Sequence, residues 1–289
     1  MDKNDLEVLD IEVPEGEQAN LTACLFQEVP YGWEERPSRG GTSVFRVHVE
    51  DSRFAESLVQ TLQARCPGVN VQRSQTPNRD WALAWREFFT AVPAGEDFIV
   101  IAPWMRDENP FPDRIAIIIE PKTAFGTGHH ATTALCLEAI SELFRAGKIT
   151  AGMRFLDLGT GSGILGLGCA KLGLSGLGLD IDPLSIENSL ENKEINGVGQ
   201  EFAVHEGSMD RIGELAGQER FDLVIANILA EPLIDMAPAI RARVAESGML
   251  ILSGLLAIQV DKVKGAYLAL GLPEPRAIIR DEWAALVWE

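Results

Sequence analysis

The chain has 289 residues, 46% apolar and 24% charged, with a net charge of −18, enough for two ordinary domains and a sizeable core. So acidic a surface repels phosphate backbones, which counts against general nucleic-acid recognition and favours a basic protein partner. The acidic start MDKNDLEVLDIEVPEGE is no secretory signal and the apolar window at 248–260 is too short to span a bilayer, so a cytoplasmic protein without a membrane partner is expected.

Residues 1–76 read as a separate small domain. LEVLDIEV (6–13) alternates as a strand does, and EGEQANLTACLFQEV (15–29) sets Leu21 and Leu25 four apart, as on a helix face. GWEERP supplies a further strand, and TSVFRVHV (42–49) places Phe45, Val47 and Val49 opposite Val44, Arg46 and His48. SRFAESLVQTLQARC (52–66) aligns Phe54, Leu58 and Leu62 along a helix, and GVNVQRS (68–74) returns as a strand. The order βαββαβ is the split-βαβ, ferredoxin-like pattern. No cluster here suggests chemistry, so the unit reads as a recognition module or a structural appendage. Residues 77–96 read as a linker and a helix, WALAWREFF, whose Trp81, Trp85, Phe88 and Phe89 form a packing stripe.

The larger domain, 97–289, begins with two lead-in strands, DFIVIAPW (97–104) and RIAIIIEP (114–121). AFGTGHHATT (124–133) follows, and from 151 strands alternate with helices: RFLDLG, a helix at 162–173, GLGLDID, a helix at 183–197, EFAVHEG, FDLVIANIL, a helix over EPLIDMAPAIRARV, GMLILSG, a further helix, and a terminal hairpin. This predicts an α/β fold, a Rossmann-like and mostly parallel sheet with an antiparallel hairpin at its end, binding its ligand at the carboxyl ends of the strands. Cys24, Cys66, Cys136 and Cys169 form no C-x-x-C pair and read as buried apolar residues.

DLGTGSGILG (157–166) is the glycine-rich turn between the first strand of that sheet and its helix. Gly161, Gly163 and Gly166 match G-x-G-x-x-G, and Asp180 ends the next strand, where a carboxylate bonds ribose hydroxyls. A nicotinamide dehydrogenase and an S-adenosylmethionine (AdoMet) methyltransferase share these features. Two residues favour the second. Asp157, two before Gly159, would repel a pyrophosphate but suits the cationic aminoacyl end of AdoMet. Asn227 is a polar residue carried by an apolar strand into the crevice, near the reacting end of the ligand. No G-K-[ST], G-x-S-x-G or H-E-x-x-H is present, which removes P-loop and hydrolase readings.

AFGTGHHATT, LDLGTGSGILGLGCAKLG, GLDIDPLSIENS and ANILAEPL together resemble the ribosomal protein L-eleven methyltransferases (the PrmA family), as does WREFFTAVPAGEDFIVIAPW upstream. The likeness covers roughly 79–260, and two residues depart from the commonest opening motif: His129 where threonine is frequent, and Ala131 where proline is frequent. The resemblance implies a class I AdoMet-dependent methyltransferase behind a ferredoxin-like substrate-recognition domain. It implies a basic ribosomal protein as substrate, methylated on lysine side chains and the amino-terminal amine. Carried over, it implies AdoMet contacts from Thr133, Gly159, Asp180 and Asn227. Because methyl transfer needs nitrogen, carbon and sulfur in line, Asn227 and its adjacent backbone carbonyls are also expected to orient the incoming nitrogen.

The opening motif then reads as a glycine-hinged lid, Gly126 and Gly128 flexing it, Phe125 shielding the reaction from water and Thr133 reaching the methionine end of AdoMet. Adjacent histidines cannot chelate one metal through i, i+4 geometry, so no metal is expected, and one of His129 and His130 is expected to cap or pack. Other protein lysines, a nucleic-acid base, a nicotinamide oxidoreductase and a non-catalytic AdoMet-binding module remain the competing readings.

Overall fold

Strand β1 (Asp5–Pro14) lies at the centre of a four-stranded antiparallel sheet, flanked by β3 (Thr42–Val49) and β4 (Asn70–Pro77), with β2 (Glu34–Arg39) on the outer side of β3. The computed structural model describes residues 5–29, 32–39, 42–49, 52–66, 68–77, 90–121, 128 and 130–289. The chain divides into two units, Met1–Thr90 and Ala91–Glu289. In the first, alternation along β1 and β3 sends Leu9, Ile11, Phe45, Val47 and Val49 to one face, where α1 (Gln18–Glu28) and α2 (Ser52–Arg65) cover them with Leu21, Leu25, Leu58 and Leu62. Arg46 and Asp10, cross-strand neighbours on β3 and β1, form a two-pronged ion pair with both contacts at 2.6 Å. The strand order β2-β3-β1-β4 is that of the ferredoxin-like pattern. The helix read at 81–89 lies outside the described residues.

The second unit opens with a small sheet, β5 (Val92–Ala94), β6 (Phe98–Ile101) and β7 (Ile115–Ile118), in which β6 and β7 run parallel. Its Phe98, Val100 and Ile117 join the core that α3 (Ala131–Arg145) and α4 (Ile164–Lys171) build against the main sheet. That sheet has seven strands: β8 (Arg154–Leu158), β9 (Ser175–Asp180), β10 (Phe202–Glu206), β11 (Phe221–Asn227), β12 (Val244–Leu256), β13 (Arg276–Arg280) and β14 (Trp283–Trp288). Their order is β10-β9-β8-β11-β12-β14-β13, parallel through β12 and antiparallel in the terminal hairpin. Successive residues of β11 go to opposite cores, Leu223 and Ile225 to one, Val224 and Ala226 to the other, which is why the strand reads as a continuous apolar run.

On the far face lie α6 (Ile212–Ala216), α7 (Ala230–Asp235), α8 (Ala237–Arg243) and α9 (Val260–Leu268), while α5 (Pro183–Asn196) follows β9. The single helix expected over EPLIDMAPAIRARV is broken at Met236. Pro238 has no N–H for the carbonyl of Ile234, and its ring crowds that carbonyl, so the chain restarts as a new helix. β12 extends past the predicted 248–254 at both ends: Val244 pairs with Phe221 of β11 at its start, and β14 pairs with its final residues beyond a register shift at Leu252/Leu255. All four cysteines are free and buried. Among the described residues no helix is long and apolar enough to cross a membrane.

Tyr267 is fully buried on α9, and its hydroxyl donates to the Leu233 carbonyl of α7 at 2.9 Å. Replacing Tyr267 by Phe removes that bond with little change of shape. Urea denaturation is expected to show a loss of about 1 kcal/mol, and an unchanged midpoint would mean that the bond contributes nothing to this packing.

Candidate active site

Strand order reverses between β8 and β11, neighbours that continue to opposite sides of the sheet, so a crevice opens at their carboxyl ends. Leu158 and Ala226 are register partners, and one residue further stand Gly159 and Asn227. Two hydrogen-bonded groups of side chains meet there, one on each strand.

The β8 group centres on Asp157, which is wholly buried. Its Oδ2 accepts the Thr160 hydroxyl at 2.6 Å and the Gly166 N–H at 3.1 Å, so the carboxylate holds both ends of the glycine loop. Its Oδ1 is buried with no partner among the described residues. Burial pushes the Asp157 carboxyl up to about 6; the bonds from Thr160 and Gly166 oppose the rise, and the charge of Asp180 adds to it. The N–H groups of Gly159 and Thr160 donate to the Leu179 carbonyl at 2.8 and 2.9 Å, fastening the loop to the end of β9. There Asp180, half-buried, accepts the Gly161 N–H at 2.8 Å and the Asp182 N–H at 3.0 Å.

Two glycines are required by space as well as by backbone. Gly159 has φ +74°, and a Cβ there would stand 2.2 Å from the Ile228 side chain. Gly163 has φ +83°, caps α4, and would put a Cβ 2.4 Å from Ser189 Oγ.

The β11 group is Asn227 with Thr133. Asn227 is 9% exposed at the end of its strand, and its Nδ2 donates to Thr133 Oγ1 at 3.4 Å, while its Oδ1 is buried with no partner among the described residues. Thr133 is fully buried in the first turn of α3. His130 caps that helix: its Nδ1 accepts the Thr132 N–H, and its ring stands edge-on to Trp283 with centroids 4.6 Å apart. Burial lowers the His130 pKa against the pull of Glu282. This is the capping role expected of one histidine.

The structure therefore brings Asp157, Gly159, Gly161, Gly163 and Asp180 into one bonded group and Thr133 with Asn227 into a second beside it. Gly128, with φ +86°, packs against Val100 of β6, where a Cβ would come within 2.8 Å. Phe125, Gly126 and the other lid residues at 124, 127 and 129 lie outside the described residues. Sequence reasoning passed over Thr160, which shares the Asp157 carboxylate, and Asn192 of α5, whose Nδ2 donates to the Ser162 carbonyl of the loop at 2.9 Å. Asparagines at 188, 192 and 196, four apart on one helix, were the available signal.

A family model described as "Ribosomal protein L11 methyltransferase (PrmA)" matches residues 16–289. The chain belongs to this family. It is 36% identical over 287 residues to the ribosomal protein L11 methyltransferase of Agrobacterium fabrum, covering 97% of each chain. The corresponding protein of Desulforapulum autotrophicum is 41% identical over 226 residues, 77% of this chain and 71% of that one. Among solved structures, the ribosomal protein L11 methylase of Lactobacillus delbrueckii subsp. bulgaricus superposes with a TM-score of 0.61 at 29% identity, covering 70% of this chain and 98% of its own. Membership in the PrmA family sets aside the oxidoreductase reading of the glycine loop.

The raised Asp157 pKa has a direction that stability measurements read. Between the ordinary value of 3.8 and about 6 the folded protein holds a proton that the unfolded chain has released. Raising the pH through that window lowers stability, and above it the penalty is constant. The stability of Asp157→Asn relative to the parent protein is therefore expected to grow from pH 4 to pH 6 and then level off. A difference independent of pH would show that Asp157 does not titrate in this window.

Proposed function

We propose that the chain transfers methyl groups from AdoMet to lysine side chains and the amino-terminal amine of ribosomal protein L11. The observation that carries this reading is Asn227: a neutral amide, nearly buried at the end of β11, with an acceptor oxygen that no described residue engages. A buried acceptor without a donor costs about 1–3 kcal/mol, so a ligand that supplies an N–H is favoured there.

The crevice also suits AdoMet, whose ribose hydroxyls and ammonium are donors. Asp180 would take the ribose hydroxyls. The loop from Gly159 to Gly163 and Thr133 would line the aminoacyl end, with the Asp157 carboxylate beneath. Bound AdoMet supplies a methyl group on a positively charged sulfur, ready for in-line attack by an amine.

The residues of the chain then have three tasks. Asn227 Oδ1 accepts a hydrogen bond from an N–H of the incoming amine and so aims the nitrogen lone pair, which is gain by positioning. Thr133 holds the Asn227 side chain from the other side. The near-complete burial of Asn227 and Thr133 limits the water that reaches them. The amine must be neutral to attack. At pH 7 a free lysine is neutral in about one molecule in 2,500, an α-amine in about 10–20%. Asn227 suits this need because an amide oxygen accepts from a neutral amine without adding a negative charge that would hold the ammonium form.

The first unit serves as the recognition domain: no cluster among its described residues carries chemistry, and the Agrobacterium relative matches it over nearly its full length. A ribosomal protein substrate also assigns the enzyme to the cytoplasm.

Incubation with labelled AdoMet and purified L11, ribosomal subunits or ribosomal RNA tests the assignment. Label is expected on L11 lysines and its amino terminus, and label on the RNA, or on no component, would overturn it. With L11 and saturating AdoMet, Asn227→Ala is expected to lower kcat by about a hundredfold, or about 2.7 kcal/mol of barrier, while stability changes by no more than about 1 kcal/mol. Unchanged turnover would remove Asn227 from the mechanism.

A further inference from the structure

Helix α5 turns three asparagines, Asn188, Asn192 and Asn196, toward the chain that continues β7. Asn196 Oδ1 accepts the Ile118 N–H at 2.9 Å, and its Nδ2 donates back to the Ile118 carbonyl at 2.6 Å. Asn192 Oδ1 accepts the Glu120 N–H at 2.8 Å, and Asn188 Nδ2 donates to the Glu120 carbonyl at 3.3 Å. Asn196 bonds the last residue of β7 and Asn192 the residue two beyond it, while Asn188 returns to the same Glu120, so three amides one helical turn apart serve the backbone of residues 118 and 120. The helix thus does for this edge what a neighbouring strand would do: it satisfies the backbone groups that face it.

One rung differs from the other two. Asn192 is fully buried, and its Nδ2 crosses to the Ser162 carbonyl at 2.9 Å, between Gly161, which Asp180 holds, and Gly163, which starts α4. A single amide therefore bonds both the glycine loop and the backbone of Glu120. Asn196 bonds Ile118 and its own helix, at the Asn192 carbonyl, and does not touch the loop.

We propose that Asn192 is a positioning residue for AdoMet, its amide setting the conformation of the loop from Gly161 to Gly163 by bonding Ser162 and anchoring it to the strand at Glu120. This rests on the reading that the loop holds AdoMet. The amide acts on cofactor affinity through the loop backbone and touches no reacting atom, so its effect belongs in AdoMet binding rather than in kcat at saturation.

Calorimetric AdoMet affinity, KM for AdoMet and kcat separate this from a packing role. Asn192→Ala is expected to weaken AdoMet about tenfold or more, with kcat at saturating AdoMet close to the parent value, because one hydrogen bond to a buried carbonyl is lost. Asn196→Ala, which removes a rung of the same ladder, is expected to lower the melting temperature but change AdoMet affinity less than twofold.

A second variant decides the matter if Asn192→Ala does not fold. In Asn192→Asp the protonated carboxyl copies the amide, with its hydroxyl donating to Ser162 and its carbonyl accepting from Glu120. The ionised form cannot donate. The ratio of its AdoMet affinity to that of the parent protein is expected to rise toward one as the pH is lowered from 8 to 5.5. Equal losses of affinity in Asn192→Ala and Asn196→Ala, or a ratio independent of pH, would overturn the proposal. If the unaltered protein bound no AdoMet, the functional reading itself would fall, and this inference with it.

Discussion

Two parallel strands, β8 and β11, leave the centre of the main sheet side by side, and the chain after each must turn to a different face. Crossovers between parallel strands are right-handed, so a chain that builds outward in both directions from one strand sends its helices to opposite faces. No connection then covers the gap between β8 and β11. The strand ends there keep backbone groups that the sheet does not satisfy, and side chains placed there are the first that a ligand meets. The glycine loop, Asp180, Asn227 and Thr133 are arranged around that single gap.

The stability of the site comes from many bonds to few groups. Asp157 is the costly member, a carboxylate removed from water and compensated at one oxygen only, which is why its proton is held to higher pH. Surface ion pairs work on another scale. Arg280 and Arg276 of β13 reach Glu138 and Glu142 of α3 at 2.7 Å, yet all four are at least partly exposed, and such pairs contribute about 0.2–1 kcal/mol each. They help seat the terminal hairpin on α3. The position of Thr133 depends more on the His130 cap and on the packing of that ring against Trp283.

Most of the sheet was legible because its signals are local. Apolar runs bounded by glycine and aspartate mark β8, β9 and β11, and D-x-G-x-G-x-G marks the loop whatever the rest of the chain does. Asn227 was legible because an amide at the end of a strand buried on both faces contradicts the pattern around it. What sequence reasoning missed depends on contacts distant along the chain. The rungs from α5 to β7 join residues 68 to 78 apart, and periodicity gives no reason for a buried helix face to be asparagine. The break at Met236 turned on Pro238, whose effect is local and readable, but the apolar period runs on through it and hides the interruption. The extra length of β12 depends on its neighbours, Phe221 of β11 beside its first residue and β14 beside its last.

The charges in the crevice are distributed unevenly, and the unevenness matches the chemistry proposed for it. Carboxylates stand on the side of β8 and β9, where Asp157 and Asp180 brace the loop that the proposed function gives to AdoMet. On the side of β11 the polar group is neutral. A carboxylate at 227 would attract a substrate ammonium more strongly, but it would stabilise that ammonium and so raise the pKa of the amine that must lose its proton. An amide gives up that attraction and keeps the directional acceptor. Asp157 is covered by its own loop and Asp180 ends a strand further out, so on this reading the acceptor that orients the nitrogen is a neutral amide rather than either carboxylate. Substrate attraction is then left to the acidic surface as a whole, whose −18 charge acts at long range on a basic protein and has no need to reach the reacting atoms.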